Sequence, residues 1–180
     1  MKTKTYLLGT ALLMTIATSA WADNAGNEHP DVDSPYRAHE AVFEGFGSAS
    51  FSRETINNIS GNRIKNDARL GAGIGMSYFF TKNFGLGGDA YTENLAHSAV
   101  DSVSGSAILR LPLGSSGFAP YFYGGGGHEF DLTDQWFAHV GGGLEYRFSS
   151  TFGLFTDARY VLTDKTANYG LVRVGIRTTF

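Results

Sequence analysis

The sequence predicts an all-β protein: an eight-stranded antiparallel up-and-down transmembrane β-barrel, preceded by a cleaved signal peptide. Three observations predict it. Apolar and polar residues alternate with period two in eight segments of the chain. The charges within those segments fall on the phase opposite to the apolar residues. The connections between segments alternate in length, with aromatic residues gathered beside the short ones.

The chain begins like an export signal. Lys2 and Lys4 supply a positive start, Tyr6 to Ile16 is a short apolar run, and Ala20-Trp21-Ala22 has the small-x-small pattern of a cleavage site. The apolar run falls short of the roughly 20 residues that a spanning helix needs. Residues 1–22 are therefore expected to be removed, with Ala20 and Ala22 as the cleavage residues and Asp23 as the first mature residue. Residues 23–39 are polar and contain Pro30 and Pro35, which reads as a flexible periplasmic lead-in. Residues 40–180 form the barrel. The mature chain, about 158 residues, is enough for one domain and not two.

Composition narrows the function classes. There is no cysteine, which excludes a disulfide framework and a thiolate metal site. A net charge of only -3 gives no electrostatic case for nucleic acid. The 24 glycines, 14 phenylalanines and 9 tyrosines, with only 4 prolines, suit strands that are apolar on one face.

The clearest strand runs over 68–80. Ala68, Leu70, Ala72, Ile74, Met76, Tyr78 and Phe80 alternate there with Arg69, Gly71, Gly73, Gly75 and Ser77. At about 3.3 Å per residue this is some 40 Å of alternation, long for a soluble strand and natural for a tilted membrane strand. The same pattern predicts strands near 41–52, 84–93, 101–111, 118–129, 136–148, 152–161 and 169–180. The first puts Phe43, Gly45, Gly47, Ala49 and Phe51 on one face. The last does the same for Val172, Val174, Ile176, Thr178 and Phe180. In 118–129 the phase is ambiguous, because Tyr121, Phe122 and Tyr123 are consecutive. Eight is an even count, as a single-chain outer-membrane barrel requires.

Glu44, Arg69, Asp89, Glu93, Arg110, Glu145, Arg147, Asp157, Arg159, Arg173 and Arg177 share the phase opposite to the apolar set. An Arg or Lys aimed at lipid near the midplane costs roughly 2–4 kcal/mol, so these side chains are expected in the lumen. An eight-stranded barrel is just wide enough for side chains to fill. The lumen charges should therefore pair as a plug and leave no open pore. Period alone does not say which face is inside. The connections do: they run long, short, long, medium, long, short, long, the pattern of outer loops and periplasmic turns. Phe80, Phe84, Phe118, Phe148, Phe152 and Phe180 would form a periplasmic aromatic ring, and Phe51, Trp136, Phe137, Tyr160 and Tyr169 an outer one.

The chain resembles the small outer-membrane β-barrel family, the OmpA-like transmembrane domain and its eight-stranded relatives. The likeness covers nearly the whole mature chain and is most specific over Arg173-Val174-Gly175-Ile176-Arg177-Thr178-Thr179-Phe180. That run looks like the family's assembly signal, with Arg173, Gly175, Ile176, Thr178 and Phe180 as its marks. It implies recognition by the barrel-assembly machinery. Thr178 departs from the family, which usually has a larger apolar residue there. Gly143-Leu144-Glu145-Tyr146-Arg147-Phe148 and Asp157-Ala158-Arg159-Tyr160 also look like the family.

The remaining candidates weigh less. Gly124 to Gly127 and Gly141 to Gly143 lack the strand-turn-helix setting and the Lys-Ser/Thr of a phosphate loop. A lipid A-modifying enzyme, a deacylase or acyltransferase, needs a nucleophile, a base and an orienting acid at the outer leaflet. His97 with Ser98, and His128 or His139 with Glu129, lie near the outer rim, but no segment matches the deacylases' His-x-Ser-Asn type of motif. A metal site at His128 and His139 lacks a tight ligand spacing. The expectation is a non-enzymatic outer-membrane barrel with no cofactor or metal and no nucleic-acid partner. It would be monomeric, surrounded by outer-membrane lipids and lipopolysaccharide, and able to present a surface ligand site on its outer loops. The longest of these is 53–66. A lipid A-modifying enzyme and a narrow, low-conductance pore are the alternatives.

Overall fold

Ten strands follow one another along the chain: β1 Glu40–Phe51, β2 Glu54–Ile56, β3 Arg63–Lys65, β4 Arg69–Phe79, β5 Phe84–Thr92, β6 Ser102–Arg110, β7 Phe118–Glu129, β8 Gln135–Arg147, β9 Phe152–Thr163 and β10 Tyr169–Thr179. The structure is a computed structural model and describes residues 34–51, 54–56, 63–65, 69–93, 100–130 and 134–180. The expected signal peptide with Ala20 and Ala22, most of the lead-in, and His97 with Ser98 lie outside the described residues.

Eight of the strands form one closed antiparallel barrel in the order β1-β10-β9-β8-β7-β6-β5-β4. From β4 to β10 each strand pairs with the next, β1 pairs with β4 across the connection that holds β2 and β3, and the ring closes where β1 meets β10 from Val42 opposite Thr179 to Phe51 opposite Gly170. Closure leaves the barrel no sheet edge, so every barrel strand has a backbone partner on both sides. The first long connection, expected as a polar loop, contains a two-stranded sheet of β2 and β3, with Thr55 opposite Ile64. These strands are too short to show a period in the sequence.

Burial alternates as the sequence pattern requires, with the apolar residues outside. Leu70 is 71 % exposed, Met76 66 %, Val174 61 % and Ile176 60 %, whereas Arg110, Glu145, Arg159 and Arg173 are at most 3 % exposed. In β7 the ambiguous phase resolves: Tyr121 and Tyr123 point in and Phe122 points out. At the short-turn end Phe80, Phe84, Phe118, Phe148, Phe152 and Phe180 are all exposed on the outer wall. Phe80 stacks on Phe84 across its turn at 6.3 Å.

Two expectations change. Phe137 and Tyr169 are not in the outer ring; they are 5 % and 1 % exposed and point into the lumen. Trp136 and Phe137 are adjacent in one strand, so only one can face outward, and it is Trp136. The alternation of connection lengths is also weaker than expected. It holds for 52–68 and 93–101, but 130–134 and 164–168 are no longer than the turn 111–117. The reason lies in the strands: β7, β8 and β9 reach 12, 13 and 12 residues against 9 in β5 and β6, and so take up what would have been loop.

Glycine is required sterically at two points that shape the interior. Gly117 closes the 111–117 turn at φ +76°, and a Cβ there would lie 2.4 Å from the Arg147 carbonyl oxygen. Gly75 stands opposite Glu44, and its Cβ would lie 2.7 Å from Glu44 Oε1. The missing side chain is the space that the carboxylate occupies.

Candidate functional site

The lumen is the candidate site, because it gathers buried charge that the fold could have left out. Inward phase alone brings Glu44, Asp89, Arg110, Glu145, Arg147, Asp157, Arg159, Arg173 and Arg177 together, each from a different strand position. With Glu40 they form one chain of alternating sign. Arg110 meets Glu40 at 2.6 Å, and Arg147 donates through Nη1 and Nη2 to both Glu40 oxygens at 2.9 and 2.7 Å. Arg147 Nε donates to Glu145 at 2.6 Å, and Arg177 Nη1 donates to the other Glu145 oxygen at 2.7 Å. Arg177 Nε then reaches Glu44 at 2.9 Å. Arg173 donates to both Asp157 oxygens at 2.9 and 2.8 Å and to Asp89 at 3.0 Å, and Arg159 also binds Asp89. Five guanidinium groups balance five carboxylates. A lone buried ion costs several kcal/mol, so this neutrality is what lets the lumen hold them.

Hydroxyl groups complete the carboxylates. Tyr121 Oη and Tyr123 Oη donate to Asp157 at 2.7 and 3.0 Å, and Ser104 Oγ donates to Asp89 at 2.7 Å. Aromatic faces take up the guanidinium planes: Arg177 lies 4.3 Å from the Phe155 ring centre and Arg110 lies 3.7 Å from that of Phe79. Between Glu44, Asp89, Tyr121 and Arg177 is a cavity of about 20 Å³, room for about one water molecule.

Both ends of this network are covered. Toward the loops, Tyr91, Phe137, Val161, Tyr169 and Leu171 form a buried apolar cluster with Phe46 and Phe155. Tyr91 Oη and Tyr169 Oη are 3.4 Å apart. At the turn end Tyr36, from the last part of the lead-in, is 3 % exposed. Its ring lies 4.3 Å from the Arg147 guanidinium carbon and 4.7 Å from that of Arg110, and its hydroxyl donates to the Gly117 carbonyl at 2.7 Å. Arg147 Nη1 also donates to the Pro35 carbonyl at 2.9 Å. Residues 34–39, expected as part of a flexible segment, thus hold a stopper in the turn-side mouth.

Other sequence-derived candidates lie nearer the barrel's ends or on its wall. Arg69 is half-buried at the loop end of β4, and Glu93 is buried there, accepting from Ser50 Oγ at 3.4 Å. Gly175, Ile176, Thr178 and Phe180 line the last strand, with Ile176 and Phe180 exposed on the outer wall. Among the described residues, His128 and His139 do not come together with a nucleophile and an acid. His139 points inward with Nε2 2.9 Å from Ser106 Oγ, but its Nδ1 has no hydrogen-bond partner. His128 lines the outer wall, with Nε2 3.0 Å from Asp134 Oδ1, while Glu129 is buried against Gln135 Nε2 at 2.8 Å. Among the described residues no group of three His, Cys, Asp or Glu could hold a metal ion.

Sequence reasoning missed Glu40, Tyr36 and the apolar cap. Glu40 has the phase of Glu44 and was findable by starting β1 one residue earlier. Tyr36 had no such signal, because its place depends on how the chain folds back.

No protein-family model and no curated protein matches this sequence. Solved structures do. The N-terminal β-barrel domain of OprF from Pseudomonas aeruginosa superposes with a TM-score of 0.61 at 18 % identity, covering 80 % of this chain and 99 % of that one. Neisserial surface protein A gives 0.54 at 17 % identity, covering 78 % and 97 %. The outer membrane protein OprG from Pseudomonas aeruginosa gives 0.52 at 12 % identity, covering 82 % and 99 %. At these identities the likeness is one of fold.

Proposed function

For a chain with the fold of the small eight-stranded outer-membrane β-barrels, we propose a closed, integral outer-membrane protein whose role is structural or surface-interacting, with its short turns on the periplasmic side. The observation that supports this reading is the inversion of the barrel. Its outer wall is apolar from Leu70 to Ile176, and its inside holds ion pairs. In water such a wall would be an exposed apolar patch far beyond the few hundred Å² usual for soluble monomers. In lipid it is the matched surface, and the guanidinium groups are kept from the hydrocarbon.

A closed lumen argues against a steady pore. The alternating chain from Arg110 to Arg159, the apolar cap and the Tyr36 stopper fill the lumen among the described residues, and the cavity between Glu44 and Arg177 has room for about one water. The lipid A-modifying reading has no supporting observation among the described histidines.

The test is reconstitution. Purified protein refolded into lipid vesicles is expected to resist protease and to migrate differently in gels before and after heating. In a planar bilayer it is expected to give little conductance. Large, steady channels would overturn the closed-barrel reading, and failure to enter vesicles at all would overturn the membrane reading.

A further inference from the structure

A hollow of about 510 Å³ opens on the outer wall where β6, β7 and β8 approach the loop end, lined by Val103, Gly105, Gly126, His128, Phe130 and Trp136. We propose that it seats one acyl chain of a lipid A molecule, an inference that rests on the outer-membrane reading above.

The hollow exists because two outward positions have no side chain. Gly105 stands directly opposite Gly126 in the β6–β7 ladder. Internal packing does not force glycine at 105: a Cβ there would find its nearest neighbour, the Gly87 carbonyl oxygen, at 3.9 Å. The inward glycines differ, since a Cβ at Gly125 would lie 1.8 Å from the Gly105 carbonyl oxygen. The bare floor at Gly105 is a feature of the outer surface and has no part in closing the barrel.

Three features point to the occupant. The hollow faces outward and is continuous with the apolar belt that the membrane reading places in lipid, so what enters it is hydrocarbon. It is a shallow, open depression floored by two glycines, which fits a slender chain lying along the wall. It also lies at the loop end, so the short-turn-inside orientation puts it in the outer leaflet, where lipid A is the acyl-bearing lipid. The rim suits the boundary between chain and headgroup. Trp136 and Phe130 are 68 % and 58 % exposed, with His128 4.6 Å from the Trp136 ring and 4.9 Å from the Phe130 ring. Exposed Lys165 donates to the Asp134 carbonyl and so adds a cation to the rim, next to the Asp134 carboxylate that meets His128.

Trp136 makes the test direct. With Trp21→Phe it becomes the sole tryptophan of the chain. The refolded barrel in detergent micelles is titrated with purified lipid A, and Trp136 emission is followed. The expected result is a change that saturates near one lipid A per barrel and needs at least tenfold more lipid after Gly105→Leu, which fills the floor. Gly105→Ala serves as a milder variant in case the leucine barrel refolds poorly, and is expected to weaken binding in the same direction. A change that never saturates, or one that Gly105→Leu leaves untouched, would overturn the seat. An equal response to a phospholipid of matched chain length would overturn the assignment to lipid A. A doubled mass in native mass spectrometry, lost with Gly105→Leu, would assign the face to a second copy. Because vesicle insertion is measured separately, loss of the seat and loss of the membrane reading are distinguishable.

Discussion

Arg173 and Asp157 stand directly opposite each other across β10 and β9 and are joined by two hydrogen bonds, Nε to Oδ1 at 2.9 Å and Nη2 to Oδ2 at 2.8 Å. This fork lies at the junction of the network, since Arg173 also reaches Asp89, and Asp157 also accepts from Tyr121 and Tyr123.

Removing Asp157 leaves the buried network one carboxylate short, with Arg173 held by Asp89 and Glu44 alone, and takes the acceptor from two tyrosine hydroxyls. Asp157→Ala is expected to destabilise the barrel by about 3–5 kcal/mol, read from urea unfolding in vesicles. Asp157→Leu with Arg173→Met removes both charges and is expected to cost less than the single change. A double variant that costs the sum of the singles would contradict the coupling.

The Tyr36 stopper predicts a graded loss. Tyr36→Phe keeps the ring between Arg110 and Arg147 and forfeits only the bond to the Gly117 carbonyl, about 1 kcal/mol. Tyr36→Ala also loses the packing, and about 3 kcal/mol is expected. Exposure of the turn-side mouth should then appear as faster hydrogen exchange at Arg147 and Gly117. Unchanged exchange would show that Tyr36 seals nothing.

The outer wall makes the opposite prediction to a soluble core. Val174 is 61 % exposed between two inward arginines. Val174→Arg is expected to destabilise the vesicle-inserted barrel by about 2–4 kcal/mol. In water the same change on an exposed site would be nearly neutral. A negligible effect in vesicles would mean that this wall does not face lipid.

The C-terminal run, taken as an assembly signal, predicts an effect in cells that stability does not explain. Phe180 is 79 % exposed and its side chain contributes little to packing. Phe180→Ser is expected to lower the amount of folded barrel in the membrane fraction several-fold while leaving refolding of purified protein intact. Equal loss in both would make Phe180 a packing residue.

Much of the fold was legible because a barrel strand, with one face turned into the lumen and one turned out, writes its surroundings into every second residue. The inward phase of Arg173 and Arg177 and the outward phase of Val174 and Ile176 follow from period two and the separation of charged from apolar residues. Legibility failed where one residue type suits both faces. Tyr121, Tyr123, Phe137 and Tyr169 are apolar enough for lipid and polar or flat enough for the lumen, so aromatic character alone did not say which way they turn.

The sequence by itself determined the eight strands of the barrel and the face on which their charges lie, because these depend on local alternation. Tertiary structure alone decided which charges meet. Arg147 pairs with Glu40 across 107 residues and Arg177 with Glu44 across 133, distances that only ring closure and the register of the β1–β10 seam remove. It also decided that Tyr36 folds back under the barrel and that two opposed glycines open a hollow on its wall. These are relations between residues far apart in sequence, and no local period records them.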